Sequence, residues 1–169
     1  MSVNAELDAF DYPISGNVAT LVDRVADSYS DREALIDNSS DRTFAELSTK
    51  TRSLAGGLRD IGLDAWSRCC VYLPNGIPFV EASLGLAHAG VVGSPINPMY
   101  KDREVTYQLK HSDASALIAS PENLAYAERA VTNVEQDVTL IVTDPTETPL
   151  SLEELCSRGD PLHVDSTDD

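Results

Sequence analysis

A strand–turn–helix–strand pattern over residues 68–100 constrains the fold more than any other part of the chain. Its first apolar run ends in the turn sequence Pro-Asn-Gly at 74–76. Pro78 then suits the first turn of a helix, because an N–H group there has no partner within the helix to lose. Gly90 suits the end of that helix, and a second strand follows at once. Two strands joined through a helix of this length are most easily parallel.

Strands and helices alternate along the rest of the chain as well. We predict strands near 34–37, 68–73, 91–95, 115–120 and 138–143, and helices over 17–29, 43–61, 78–89, 102–111, 122–134 and 151–159. Thr43 and Ser151 each open a capping box, since a glutamate follows three residues later. The strand near 34–37 can also pair with residues 42–44 as a small hairpin. This alternation predicts the α/β class, with a mostly parallel sheet and helices on both faces.

The length of the chain, 169 residues, predicts one domain. We place that domain over 17–159. An irregular arm is expected over 1–16, where hydrophobic periodicity is weak. An acidic, mobile tail is expected over 160–169, which is polar and has no period.

The charge of the chain is unusual, with 28 acidic residues against 12 basic ones and a formal net charge of −16. The acidic residues are spread along the whole chain. We interpret them as a solvated coat adapted to high salt, where ions screen the self-repulsion and hydration keeps the protein soluble. The alternative is an acidic surface that binds a basic partner. Nucleic acid is disfavoured as a partner, because phosphate contacts need clustered lysine and arginine.

Membrane insertion and secretion are not indicated by the sequence. No apolar run approaches the roughly 20 residues that span a bilayer, and the N-terminus shows no secretory signal. Cys69 and Cys70 are neighbours on one strand, so their side chains point to opposite faces and cannot easily bridge. With Cys156 they form no metal-binding spacing. We therefore expect small buried thiols in a reducing compartment and a cytoplasmic location.

Sequence motifs that carry catalysis are absent. There is no glycine-rich dinucleotide loop, P-loop, nucleophile elbow or zinc-binding H-E-x-x-H. Pro78 removes a backbone donor where a phosphate cradle would need it, so we do not interpret the preceding turn as a nucleotide site. His88 and His111 lie in last helical turns, where the helix dipole favours histidine, while His163 has no structural context. We assign no catalytic, cofactor-binding or metal-binding residue.

The helix predicted over 78–89 is apolar almost all round. Only a stripe formed by Glu81, Gly85 and His88 is expected to face outwards. A helix of this kind is buried on most sides. Since one sheet covers only one side, the pattern predicts that a further element, absent from this chain, packs on this helix.

Four ordered segments carry a family resemblance. They are N-V-A-T-L-V-D-R-V-A-D-S-Y-S-D-R-E-A-L-I-D at 17–37, R-T-F-A-E-L at 42–47, A-G-G-L-R-D-I-G-L at 55–63, and the whole of 71–118. Together they resemble the N-terminal part of the AMP-forming acyl-CoA synthetases, the adenylate-forming ligases. The resemblance is strong over roughly 17–120 and looser beyond. It departs at Trp66 and Ser67, where the family usually has Gly-Asp before the arginine that is Arg68 here.

The resemblance implies the first subdomain of the ligase N-terminal domain and a two-step reaction. A carboxylate attacks ATP to give an acyl-adenylate and pyrophosphate, and a thiol, usually coenzyme A, then takes the acyl group. ATP, Mg²⁺ and coenzyme A are implied for the complete enzyme. The family's phosphate loop, acidic residues and C-terminal lysine would all follow Asp169. We therefore expect this chain alone to be inactive and to bind none of these cofactors.

Two alternatives to a truncated ligase stay open. One is a complementing subunit that binds a separately encoded ligase remainder, and the other is a non-catalytic α/β module. The expected partners are the missing remainder or a second copy of the chain. Fatty, aromatic and short acids are all open as substrates, with fatty acid metabolism as the expected setting.

We predict poor solubility or self-association at low salt, because the apolar helix over 78–89 and a sheet edge are left uncovered. Light scattering coupled to size exclusion, run from about 0.1 M to about 2 M KCl, measures this directly. A monomer that behaves equally well across the whole range would contradict the prediction.

Overall fold

The computed structural model describes residues 18–38, 40–145 and 150–162. The predicted arm, the predicted helix cap Asn17, His163 and the tail from 163 onwards lie outside these residues. The helices are α1 (Val18–Tyr29), α2 (Phe44–Asp60), α3 (Ile77–His88), α4 (Asp102–Ser112), α5 (Leu124–Thr132) and α6 (Leu152–Arg158). The strands are β1 (Glu33–Ile36), β2 (Asp41–Thr43), β3 (Arg68–Tyr72), β4 (Val92–Pro95), β5 (Ala116–Ala119), β6 (Thr139–Val142) and β7 (Leu150–Ser151).

Five strands form a parallel sheet in the order β4-β3-β5-β6-β7, which confirms the predicted α/β class. Strand β1 does not join this sheet. It pairs antiparallel with β2 as the predicted hairpin, so counting it with the parallel strands was wrong. The fifth strand of the sheet is β7, whose two residues are too few to show a period in the sequence.

The central strand β3 is buried on both faces of the sheet. Cys69 and Val71 pack on one side in a core that receives α2, α3 and α6. Cys70 and Tyr72 pack on the other side in a core that receives α4 and α5. The two adjacent cysteines therefore point to opposite faces, as predicted, and all three cysteines are free thiols. Helices cover both faces of the sheet.

Helix α3 ends as predicted. Gly90 has a φ of +68°, the left-handed conformation that glycine adopts without a steric cost. The N–H of Gly90 donates to the Ala87 carbonyl, and the N–H of Val91 donates to the Leu86 carbonyl at 2.8 Å. These two bonds form a Schellman motif, which satisfies the last carbonyls of the helix and releases the chain directly into β4.

The expected outward stripe of α3 is in fact buried. Glu81, Gly85 and His88 face α1 and α2, which pack beside α3 above the sheet. A Cβ atom added at Gly85 would lie 2.6 Å from the Leu54 side chain of α2, so the two helices approach too closely for a larger residue. The prediction was wrong because it counted only the sheet as cover, whereas α1 and α2 of this same chain also pack on α3. The covering element is therefore not absent from the chain. Of the two uncovered surfaces behind the expected self-association at low salt, only the sheet edge remains among the described residues.

The short helix α6 packs on α2 through backbone contacts. A Cβ atom at Gly57 would lie 2.1 Å from the Leu155 carbonyl oxygen, and one at Gly56 would lie 2.1 Å from the Asp160 carbonyl oxygen. Just beyond α6, Leu162 donates its N–H to the Arg52 carbonyl and accepts a bond from Arg52 Nε at 3.1 Å. Residues 160–162 thus lie on α2.

Trp66 occupies a strained position in the turn before β3. Its φ is +70°, which is rare for a bulky residue, and its side chain is 82% exposed. Its N–H donates to the Gly90 carbonyl at 2.9 Å, which holds the turn against the end of α3. The family that the sequence resembles usually has glycine at this position, and glycine is the residue that suits a left-handed conformation.

We predict that Trp66→Gly stabilises the chain by about 1 kcal/mol relative to Trp66→Ala, because only glycine relieves the left-handed strain. Both variants remove the same exposed ring, so the difference isolates the backbone effect. Urea unfolding followed by far-ultraviolet circular dichroism measures it, since Trp66 is the one tryptophan of the chain. Equal stability of the two variants would contradict the prediction.

Candidate functional site

The carboxyl ends of the parallel strands meet at one edge of the sheet, where α/β proteins commonly place ligands. The loops after β3, β5 and β6 line a cavity of about 200 Å³ there, which we call the Ser120 cavity. A second cavity of about 340 Å³ adjoins it beside α2 and α3, and we call it the Glu81 cavity. Both cavities share Asp37, Pro78, Thr143 and Asp144.

The N-terminus of α3 opens onto this edge, but it does not fit a nucleotide phosphate. The N–H of Ile77 donates to Asp37 Oδ2 at 3.4 Å, and Asp37 Oδ1 accepts from the N–H of Ser40 at 3.0 Å. A carboxylate from the end of β1 thus lies where an anion would bind. Pro78 in the same turn has no N–H to offer. These residues repel a phosphate group instead of cradling it.

Glu81 is the centre of an ion-pair cluster in the Glu81 cavity. Its side chain is 5% exposed and lies 2.9 Å from Arg42 Nε and 3.3 Å from Lys50 Nζ. Removing a carboxylate from water is costly, and two partly exposed cations offset that cost here. The cluster joins β2, α2 and α3. Both basic groups are therefore used within the fold.

His88 is fully buried between α1, α2 and α3. Neither ring nitrogen has a hydrogen-bond partner among the described residues, and Nε2 lies 3.7 Å from Asp23 Oδ1. That carboxylate oxygen already accepts a 2.5 Å bond from Ser48 Oγ. Burial, with a smaller contribution from Arg52, lowers the pKa of His88, while Asp23 opposes the shift. His88 is thus a neutral core residue, and the helix dipole does not account for its position.

His111 and Tyr72 also have structural explanations for their positions. His111 lies in the last turn of α4, as predicted, and its ring stacks on Tyr107 with the centroids 5.5 Å apart. The buried Tyr72 hydroxyl donates to the Tyr100 carbonyl, and burial raises the pKa of Tyr72. Neither residue belongs to a reactive cluster.

The thiols are not activated as nucleophiles. Burial raises the pKa of Cys69, Cys70 and Cys156, and it is the largest effect on each of them. A thiolate is the reactive form of cysteine, so a raised pKa makes these groups inert. Within the part of the chain that the structure describes, no three or more His, Cys, Asp or Glu side chains are grouped closely enough to hold a metal ion. No helix of that part is long and apolar enough to span a membrane.

No local pattern in the sequence indicates that Asp37, Glu81 and Ser120 lie near one edge of the sheet. Asp37 and Ile77 are 40 positions apart in the sequence, and Arg42 and Glu81 are 39 positions apart. The usable signal was position, since Ser120 directly follows the buried strand β5 and Thr143 directly follows the buried end of β6. Carboxyl ends of parallel strands collect at the same edge, so this pair could have been placed together.

The model of the AMP-binding enzyme family matches residues 22–167. The 4-coumarate–CoA ligase of Pinus taeda is 33% identical over 124 residues, which are 72% of this chain and 22% of that protein. A medium/long-chain-fatty-acid–CoA ligase of Mycobacterium marinum is 34% identical over 127 residues, 75% of this chain and 22% of that protein. The chain thus spans about a fifth of the length of these relatives.

A solved structure of a CoA ligase has a similar fold over most of this chain. The benzoate CoA ligase of Burkholderia xenovorans LB400 superposes with a TM-score of 0.82 at 28% identity. The superposition covers 90% of this chain and 30% of the ligase chain. The five-stranded sheet and its helices therefore have the arrangement found in part of a CoA ligase.

We predict that the stability of the chain falls as the pH drops from about 7.5 to about 5.5, because unfolded His88 binds a proton near its ordinary pKa of about 6.5 and buried His88 does not. One proton changes the free energy of unfolding by at most about 1.4 kcal/mol per pH unit. Urea unfolding at both pH values measures the loss. His88→Leu should lose less stability than the wild type over this range, and the exposed-residue control His111→Gln should match the wild type. An unchanged pH dependence in His88→Leu would contradict the prediction.

Proposed function

Because the chain belongs to the family of AMP-binding enzymes, we propose that it supplies the N-terminal portion of an AMP-forming acyl-CoA ligase. The complete enzyme activates a carboxylic acid with ATP, releases pyrophosphate and transfers the acyl group from the adenylate to coenzyme A. The observation that carries the proposal is the continuous family match over 22–167 together with two CoA ligases at 33% and 34% identity.

The chain by itself is inactive in this proposal. The N-terminus of α3 is blocked by the Asp37 carboxylate, and the described residues group no metal ligands. ATP, Mg²⁺ and coenzyme A are therefore bound by the complete enzyme through residues outside this chain. What the chain contributes is a rigid sheet and helix layer on which the rest of the ligase is assembled.

The surface that receives the rest of the ligase is, in this proposal, the edge formed by β4. Among the described residues this strand has a partner on one side only, and Val92 is 44% exposed. Trp66 flanks its amino end, and Met99, which is 78% exposed, follows its carboxyl end. An open strand edge flanked by apolar side chains favours association with another polypeptide segment. The same surface supports the alternative of a complementing subunit.

The proposal also includes the substrate of the complete enzyme, its cellular location and the salt concentration in which it works. A fatty acid is the first substrate to test, since the Mycobacterium marinum relative is a ligase for medium- and long-chain fatty acids. An aromatic acid is the second, since the Pinus taeda relative is a 4-coumarate–CoA ligase. The three free thiols suit a reducing, cytoplasmic location. The net charge of −16 suits a salt-rich interior.

We predict that the purified chain shows no ATP–pyrophosphate exchange with Mg²⁺ and a panel of fatty and aromatic acids. The reason is that its described residues neither cradle phosphate nor group metal ligands. A complete AMP-forming ligase assayed in parallel is the positive control. Exchange above the no-acid background would contradict the proposal that this chain is catalytically incomplete.

Co-expression tests the complementing-subunit alternative. The experiment applies if the neighbouring reading frame encodes a Ser/Thr/Gly-rich loop followed by lysine, because this is the phosphate loop expected to follow in such a ligase. That reading frame is then expressed together with this chain. Exchange activity in the co-purified pair, and in neither half alone, supports the subunit. Failure of the two chains to associate favours a truncated ligase.

A further inference from the structure

The turn between β3 and α3 contains Asn75 followed by Gly76, which is the one asparagine–glycine pair of the sequence. Asn75 is exposed, and Gly76 immediately precedes the first residue of α3. The bonds around this turn are made by other groups, since the N–H of Ile77 donates to Asp37 and the N–H of Val80 donates to the Gly76 carbonyl. Among the described residues, neither the side-chain amide of Asn75 nor the N–H of Gly76 has a hydrogen-bond partner. Both groups are therefore free to react with each other.

The backbone conformation of Gly76 explains why glycine occupies this position. Its φ of +156° and ψ of −179° are angles that residues with a side chain rarely adopt. Space does not select glycine here, because an added Cβ atom would lie 3.7 Å from Pro78 Cδ and 3.8 Å from Asp37 Oδ2, which are ordinary contacts. The turn into α3 thus requires glycine for its conformation, and the missing side chain leaves the Gly76 nitrogen open to Asn75.

Asparagine is chemically labile when the nitrogen of the next residue can reach its side chain. That nitrogen loses its proton and attacks Cγ of the asparagine, and the side-chain amide nitrogen leaves as ammonia. The product is a cyclic succinimide, which water opens at either of its two carbonyl carbons to give aspartate or isoaspartate. The net reaction consumes one water and releases one ammonia, and no electrons are transferred. A side chain on the following residue hinders the attack, and glycine has none.

The other described asparagines lack this combination of features. Asn97 precedes Pro98, whose nitrogen carries no proton, and Asn97 Oδ1 accepts a backbone N–H bond at 3.0 Å. Asn123 Nδ2 donates to the Pro98 carbonyl at 3.2 Å, which holds its amide in place. Asn38 and Asn133 each precede a residue that has a side chain. The sequence and the structure therefore single out the pair at 75–76.

We propose that Asn75 is a site of spontaneous modification, at which the folded chain forms a succinimide with Gly76 and converts asparagine to aspartate or isoaspartate. Asn75 lines the Ser120 cavity together with Asp37, Glu122 and Asp144, so the new carboxylate is the fourth acid of that lining. Isoaspartate also adds one methylene group to the main chain between β3 and α3. The modification thus changes both the charge of the cavity and the length of the connection that leads into α3.

Incubation of the full chain at neutral pH, followed by trypsin digestion and mass spectrometry, tests the proposal. The tryptic peptide 69–101 carries both Asn75 and Asn97, since no lysine or arginine lies between Arg68 and Lys101. Fragment ions should place the mass increase, which comes from replacing the amide NH₂ with OH, at Asn75 and not at Asn97. The rate should rise with pH, because the attacking nitrogen must lose its proton. No conversion of Asn75, or equal conversion of Asn97, would overturn the proposal.

A comparison of the folded chain with the guanidinium-unfolded chain tests the part of the proposal that depends on the structure. The folded chain should convert Asn75 within roughly tenfold of the unfolded rate, because no hydrogen bond of either group has to be broken before the attack. Both samples are kept at the same pH and temperature, and conversion is followed on the same peptide. Much stronger protection of Asn75 by the fold would overturn the proposal.

Two variants assign the product to Asn75. Asn75→Gln should lose the conversion, because glutamine has to close a larger ring, and it should fold normally because the side chain is exposed and makes no hydrogen bond. Asn133→Gln is the matched control at another exposed asparagine, and it should convert Asn75 as the wild type does. A protein-isoaspartate methyltransferase with labelled S-adenosylmethionine detects the isoaspartate, so the wild type and Asn133→Gln should be labelled after incubation. Equal labelling of Asn75→Gln would overturn the assignment.

Discussion

Strand β3 is paired on both sides and buried on both faces, and the rest of the structure depends on this double constraint. Its pairing with β4 and β5 fixes the parallel sheet. Its alternating side chains divide the core, since Cys69 packs in one half and Cys70 in the other. From Cys69 to Tyr72 neither face of the strand meets water, so these four positions need side chains that can be buried. The helices that cover the two faces follow from that requirement.

Local signals predicted most of the fold. The hydrophobic period, the capping boxes at Thr43 and Ser151 and the glycine after α3 are all encoded within a few residues of the feature they specify. The structure confirms both boxes and the left-handed Gly90. The family resemblance could also be detected in the sequence, because it depends on the order of such local segments. The class of the fold and the family could therefore be predicted from the sequence.

The surroundings of each side chain could not be predicted in this way. His88 looked like an ordinary residue at a helix end, but three helices enclose it. The buried face of α3 depends on where α1 packs, and the cavity edge depends on Asp37, which reaches Ile77 across 40 positions. Contacts between residues so far apart in the sequence leave no local hydrophobic pattern from which they could be predicted. Strand β7 was missed because it has only two residues. Such a short segment shows no strand pattern of its own and forms a strand only by pairing with β6.

The contact between α2 and α6 has a consequence for synthesis on the ribosome. The glycine face of α2 is covered by residues about 100 positions later, so it stays open until residues 155–160 have emerged. During that interval the sheet lacks β7, and one side of α2 is exposed to any chaperone that binds apolar helices. Helix α6 thus completes the layer of helices that α2 begins.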